Sequence, residues 1–197
     1  MESSCAYLQQ LNRSPLTIVQ ELASWRPPGG RVVDLGTGSG RHAIALAQQG
    51  YQVDAIDQSP GVIARLHAEA EARGLSIHAR VMSVCSPDID FSRYDVVICT
   101  LVLHFLAMGR ATELLDRARV QARPGTLHAI AAFAARGHIF DASPGGFYFP
   151  EPGAIAEGYR ASRWSVHRAY EEPRITISQH ADGTRKRNLT SFVVASI

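Results

Sequence analysis

An acid and three alternating glycines stand together in the run VVDLGTGSGR: Asp34, then Gly36, Gly38 and Gly40. These residue types at this spacing suit one task, the seating of a ligand against main chain. Glycine has no β-carbon, so the chain turns sharply and a ligand approaches its N–H groups closely. A helix that starts just beyond such a loop turns its first N–H groups and the positive end of its dipole toward an anionic group. About twenty residues on, Asp57 closes a second apolar run, where a carboxylate accepts hydrogen bonds from both hydroxyls of a ribose.

A ligand with a ribose and an anionic group is therefore expected. The nicotinamide dinucleotide fingerprint needs Gly or Ala one place after Gly40, where this chain carries the bulky Arg41. S-adenosylmethionine, whose methionine part ends in a carboxylate, fits better than NAD. The competing interpretation is a glycine turn of structural use only, with Asp34 and Asp57 as solvated strand ends. Agreement among strand, loop, helix and distal acid speaks for binding.

The elements that must position these residues can be read from periodicity. Ser14 and Pro15 read as cap and first residue of a helix through LTIVQELASW, stopped by Pro27, Pro28, Gly29 and Gly30. RVVDL is a short β-branched run; RHAIALAQQ has helical spacing and is closed by Gly50. YQVDAI is a strand, Ser59 and Pro60 cap a helix through Arg73, Gly74 ends it, and IHARVM follows as a strand. YDVVICT, ATELLDRARVQA and TLHAIAA repeat the order of strand, helix and strand across the turn at Pro124 and Gly125. This alternation predicts an α/β fold with a mostly parallel sheet and helices on both faces. In the tail, WSVHRAY, RITISQ and LTSFVVA read as strands with short turns, Asp182 and Gly183 among them, and are expected to pair antiparallel. The segment FAARGHIFDASPGGFYFPEPG between core and tail is rich in Gly and Pro. Its aromatics Phe147, Tyr148 and Phe149 are expected either to lid a pocket or to anchor a long loop.

At 197 residues and 46% hydrophobic content the chain reads as one domain: an N-terminal helical segment (1–30), a cofactor-binding core (31–133), and a lid-like loop with C-terminal hairpin (134–197). Cys5, Cys85 and Cys99 form neither a disulfide framework nor a zinc ligand set, so no metal is expected and a reducing compartment is. The opening MESSCAYLQQLNRSPL lacks an export signal. The run VVICTLVLHFLAM is too short for the ~20 residues that cross a bilayer, so a cytoplasmic protein with no membrane partner is expected. A net charge of +2, with basic residues scattered apart from Arg185, Lys186 and Arg187, argues against a nucleic-acid partner. The oligomeric state is not legible.

These motifs resemble the class I methyltransferase superfamily, which uses S-adenosylmethionine. Within it the chain is similar to the tellurite-resistance methyltransferases from about Arg31 to the end, through DLGTGSGRHAIALAQQGYQVDAIDQSP, YDVVICTLVLHFL, the RPG turn and a terminal hairpin. The resemblance implies a Rossmann-like, seven-stranded sheet with a reversed final hairpin. It implies cofactor contacts from Asp34, Gly36, Gly38, Gly40 and Asp57, with its neighbour Gln58, and backbone contacts from Thr100 and Leu101. Where the family commonly places an adenine-binding Asp, this chain reads Met82, Ser83, Val84, so Ser83 is the expected acceptor. On the last hairpin, members carry a His and an Arg facing the substrate; Arg185 fits, and the nearest histidine, His180, stands out of that register.

Methyl transfer is an in-line displacement, so alignment and exclusion of water matter most: positioning contributes ~7 to 11 kcal/mol, a general base ~3 to 5. No acid/base pair stands out, which suits an acceptor that already has a free lone pair, such as tellurite or selenite. Arg185 is the expected anion holder and His180 and His104 are further catalytic candidates, against a solvated hairpin edge for the arginine and a structural role for His104. His42, in the first turn after the glycine loop, is open to either assignment. An organic methyl acceptor, a catalytically silent S-adenosylmethionine binder and an NAD-dependent oxidoreductase are the alternatives to a small-molecule methyltransferase acting on a metalloid oxyanion.

Overall fold

The structure, a computed structural model, describes residues 15–143, 145–179 and 185–197, and at 175–179, 185 and 186 it describes the main chain alone. Five parallel strands form the core sheet: β1 (Arg31–Leu35), β2 (Gln52–Asp57), β3 (Ile77–Val81), β4 (Val96–Thr100) and β5 (Leu127–Gly137). The hairpin β6 (Ser165–Gln179) and β7 (Arg185–Ser196) adds two antiparallel strands, and the sheet runs β3-β2-β1-β4-β5-β7-β6. The sequence-based expectation of a seven-stranded, mostly parallel sheet with a reversed terminal hairpin agrees with this.

Side chains alternate across each strand and build two cores. Val33 and Leu35 of β1 and Val97 and Cys99 of β4 face one layer, with α4 (Met108–Gln121) and α6 (Ala154–Ala161). Val32, Val96 and Ile98 face the other, with α1 (Thr17–Gln20), α2 (Arg41–Gln48) and Leu66 of α3 (Pro60–Arg73). The expected caps of α3 are present: Ser59 Oγ accepts from the Val62 N–H, Pro60 is the first helical residue, and Gly74 ends the helix at φ 62°.

Several elements differ from the sequence-based expectation. The N-terminal helix is short: α1 has four residues, followed by a single tight turn at Leu22–Ser24, and no side chain caps it. Burial of Ile18, Val19 and Leu22, all 0% exposed, holds this segment rather than helical propensity. The expected start at Ser14 lies outside the described residues. WSVHRAY and RITISQ fall on one strand, β6, because β7 pairs with it without a break from Arg168 to Ile175, past Pro173 opposite Leu189. Proline is tolerated there because β6 is the edge of the sheet, where a missing N–H leaves no ladder bond unmade. β5 outruns TLHAIAA by five residues for the same reason: Phe133 pairs with Thr190 and Gly137 with Asn188. The segment read as a loop holds α5 (His138–Ala142), and α6 follows directly after its last residue, Gly153.

Gly137 makes the corner between β5 and α5 at φ 109°, and a β-carbon there would stand 2.8 Å from both the Arg187 carbonyl oxygen and Asn188 Cα. Gly137→Ala is therefore expected to destabilise the fold by ~2 kcal/mol or more, through backbone strain and a main-chain clash. A lowered urea midpoint at unchanged slope would show it; an unchanged midpoint would mean that the corner relaxes freely.

Candidate active site at the carboxyl ends of the parallel strands

The strand order reverses direction between β1 and β4, and a crevice opens there beyond the strands' carboxyl ends, as such sheets require. It is a cavity of about 810 Å³, within the range of about 300–1,000 Å³ usual for small-molecule sites.

The glycine loop forms one wall. The N–H groups of Gly36 and Thr37 both donate to the Ile56 carbonyl at 2.8 and 2.9 Å, and the Gly38 N–H donates to Asp57 Oδ2 at 3.0 Å. Asp57 Oδ1 accepts from the Ser59 N–H at 2.9 Å, so one carboxylate ties the loop to the start of α3. The three glycines have different neighbours. A β-carbon on Gly36 would stand 2.5 Å from Val102 Cγ2, and one on Gly40 2.5 Å from Leu66 Cδ1, whereas one on Gly38 would meet only the Gly36 carbonyl oxygen, at 3.9 Å. Gly36 and Gly40 thus answer to packing, and Gly38 leaves room for a ligand.

Of the predicted cofactor residues, Gly36, Gly38, Asp57, Gln58, Ser83, Thr100 and Leu101 line the cavity. Gly40 and Asp34 do not. Asp34 lies beneath the loop at 1% exposure, where its Oδ2 accepts from Thr37 Oγ1 at 2.7 Å. Its contribution is to hold the loop from below. Leu101 has φ 57°, a strained conformation for a branched residue, and its N–H donates to the Ala131 carbonyl at 2.7 Å.

Of the predicted catalytic residues, His104 sits in the tight turn Leu103–Phe105, behind the cavity wall. Its ring meets Phe105 at 4.0 Å and Phe133 at 4.8 Å between centroids, its Nδ1 is buried without a partner among the described residues, and burial pushes its pKa down to about 4. Arg185 is placed by its main chain in β7 opposite Gln179, and His180 lies outside the described residues. The aromatic segment is tied to the cavity rim rather than laid across it: the Tyr148 N–H donates to the Leu106 carbonyl at 2.9 Å, and Phe147 bridges Ala107. Among the described residues no cluster of three or more metal-ligating side chains exists, and no helix is long and apolar enough to cross a membrane.

Sequence reasoning left Arg41, Val102, Phe105 and Leu106 out of the lining. Arg41 was within reach as the first residue of α2, beside the loop's N–H groups. The other three come from a turn that folds back after β4, which no local spacing signals. His42 is buried at 3% exposure on the same wall, and burial, with the charges of Arg41 and Arg174, pushes its pKa down to about 3.

The arrangement is that of the class I methyltransferases, in fold and in the place and make-up of the loop and distal acid. A family model described as tellurite resistance protein TehB matches residues 17–173, and the chain belongs to that family. A probable S-adenosyl-L-methionine-dependent methyltransferase TehB of Haemophilus influenzae (strain KW20 Rd) is 27% identical over 121 residues, 61% of this chain and 42% of that protein. A tRNA 5-carboxymethoxyuridine methyltransferase of Escherichia coli K12 is 30% identical over 119 residues, 59% of this chain and 45% of that one. The chain spans less than half the length of these curated relatives. The crystal structure of TehB from Haemophilus influenzae superposes with a TM-score of 0.80 at 24% identity, covering 92% of this chain and 62% of that one.

Burial raises the Asp34 carboxyl from 3.8 to about 6, against the opposing bond from Thr37 and the charge of Arg41. A raised carboxylate pKa favours the fold while both states are protonated, below about pH 4. That stability is lost as pH rises through about 6, by roughly 3 kcal/mol in all. Asp34→Asn removes this loss, so variant stability relative to the parent is expected to climb by about that amount from pH 4 to pH 7. Urea titrations at several pH values measure the difference; parallel curves would mean that folding does not shift the Asp34 carboxyl.

Proposed function

We propose that this chain is a methyltransferase that moves a methyl group from S-adenosylmethionine to a small nucleophile. The observation that carries this is the cavity at the strand switch, with Gly38 open, the Asp57 carboxylate on its wall and α2 starting at its edge. When bound, the cofactor supplies an electrophilic methyl carbon on a sulfonium; the acceptor's lone pair forms the new bond as the carbon–sulfur bond breaks and its electrons return to sulfur. Asp57 would hold the ribose hydroxyls, Gln58 and Ser83 would border the adenine, and the first turn of α2 with Arg41 would face the carboxylate.

The chain's own side chains favour alignment over acid/base chemistry. His42 and His104, with pKa values near 3 and 4, are neutral at physiological pH and do not serve as general acids there. An acceptor with a free lone pair is thus the natural partner, and a metalloid oxyanion such as tellurite or selenite has one; membership of the tellurite-resistance family supports the same choice. Arg185 remains the proposed anion holder, and His180 a further proposed catalytic residue. A second acceptor class, an organic small molecule, is favoured by the apolar rim of Val102, Phe105 and Leu106, in which Phe105 is 70% exposed.

Transfer of labelled methyl from S-adenosylmethionine to selenite or tellurite by purified protein, with volatile product trapped, tests the reaction. Asp57→Ala is expected to abolish product and to weaken binding of S-adenosylhomocysteine by at least about tenfold in calorimetry; unchanged affinity would refute the site. Arg185→Ala is expected to lower use of an oxyanion acceptor while sparing cofactor affinity, and equal loss of both would remove its proposed role.

A further inference from the structure

The wall between α2 and β4 contains a chain of hydrogen bonds whose direction is fixed at one end. The Leu16 N–H donates to His42 Nε2 at 3.3 Å, and His42 Nδ1 lies 3.1 Å from Thr100 Oγ1. A peptide N–H only donates, so Nε2 is the acceptor and, in a neutral ring, Nδ1 carries the proton. Thr100 Oγ1 must then accept from His42. Its own hydrogen is left over, and among the described residues the hydroxyl has no other hydrogen-bond partner.

The geometry gives that hydrogen one outlet. Thr100 is 8% exposed, and what remains exposed faces the cavity that it lines with His42. By alternation along β4 it shares the face of Val96 and Ile98, which pack toward α2, so its hydroxyl stands beside the first turn of that helix. We propose that Thr100 donates this hydrogen to the carboxylate of the cofactor's methionine part, and that His42, itself held by Leu16, is the positioning residue that fixes the direction. A hydroxyl free to rotate serves as donor or acceptor alike; with one lone pair of Thr100 taken by His42, the hydrogen is the group left to be satisfied, and a hydrogen turned into the cavity favours an anionic oxygen over an ammonium group. The N-terminal segment is thereby tied to the cofactor site through two side chains. This inference rests on the methyltransferase proposal for the cavity.

Two measurements test it. In protein labelled with nitrogen-15 at histidine, the two-bond correlation spectrum of His42 near neutral pH is expected to show Nδ1 protonated and Nε2 bare. The opposite tautomer would overturn the relay whatever the ligand. Calorimetry then compares S-adenosylhomocysteine with its decarboxylated analogue, which keeps the ammonium and lacks only the carboxylate. Thr100→Val is expected to weaken the first about tenfold and leave the second unchanged, Thr100→Ser to restore it, and His42→Gln to add little in the Thr100→Val background. Equal losses for both ligands, no loss for either, or strictly additive losses would each overturn the proposal. Parent protein that binds neither ligand would instead overturn the cofactor assignment beneath it.

Discussion

The carboxyl end of β2 governs the site, because the glycine loop has no regular partner and would otherwise leave its N–H groups unpaired. Ile56 offers one carbonyl to two of them, Gly36 and Thr37, and the next residue offers its side chain to a third, Gly38. Unpaired buried amides cost ~1 to 3 kcal/mol each, so this short stretch of β2 selects one loop conformation. The same Asp57 then takes the Ser59 N–H and sets where α3 begins. Asp34 and Thr37 brace the loop from the opposite side. The crevice follows from these anchors together with the strand order.

How much of this was legible depended on whether the signal was local. Ser59, Pro60 and Gly74 declare a helix's ends by their own backbone preferences, and α3 begins and ends as they direct. The alternation of Gly36, Gly38 and Gly40 likewise marked the loop, since each has positive φ. Pairing with distant residues was not legible. β5 runs on to Gly137 because Asn188 lies across from it, and β6 passes through Pro173 because Leu189 does. Nor could spacing distinguish Asp34, which braces, from Asp57, which lines the cavity; the two acids differ only in which side of the loop they occupy.

Charge and burial around the cavity agree with a reaction that needs alignment and a cationic ligand. His42 on the cavity wall and the half-buried His104 next to Phe105 are both held neutral by desolvation. A protonated imidazole beside a sulfonium would repel it, and a neutral one does not. The same desolvation keeps Asp34, beneath the loop, from being a full charge below about pH 6.

The position of His42 shows why neutrality matters for structure as well. A protonated ring has donors on both nitrogens, and the Leu16 N–H would then face another donor instead of an acceptor. Protonation would break the Leu16 bond to α2 and reverse nothing at Thr100, so the cost falls on the fold first, although burial of Ile18, Val19 and Leu22 still holds the segment. Burial that holds the His42 pKa near 3 therefore keeps Leu16 attached across the physiological range. With no general acid to titrate on the described cavity wall, the proposed chemistry would depend on the loop's geometry, which the β2 terminus maintains, more than on proton supply.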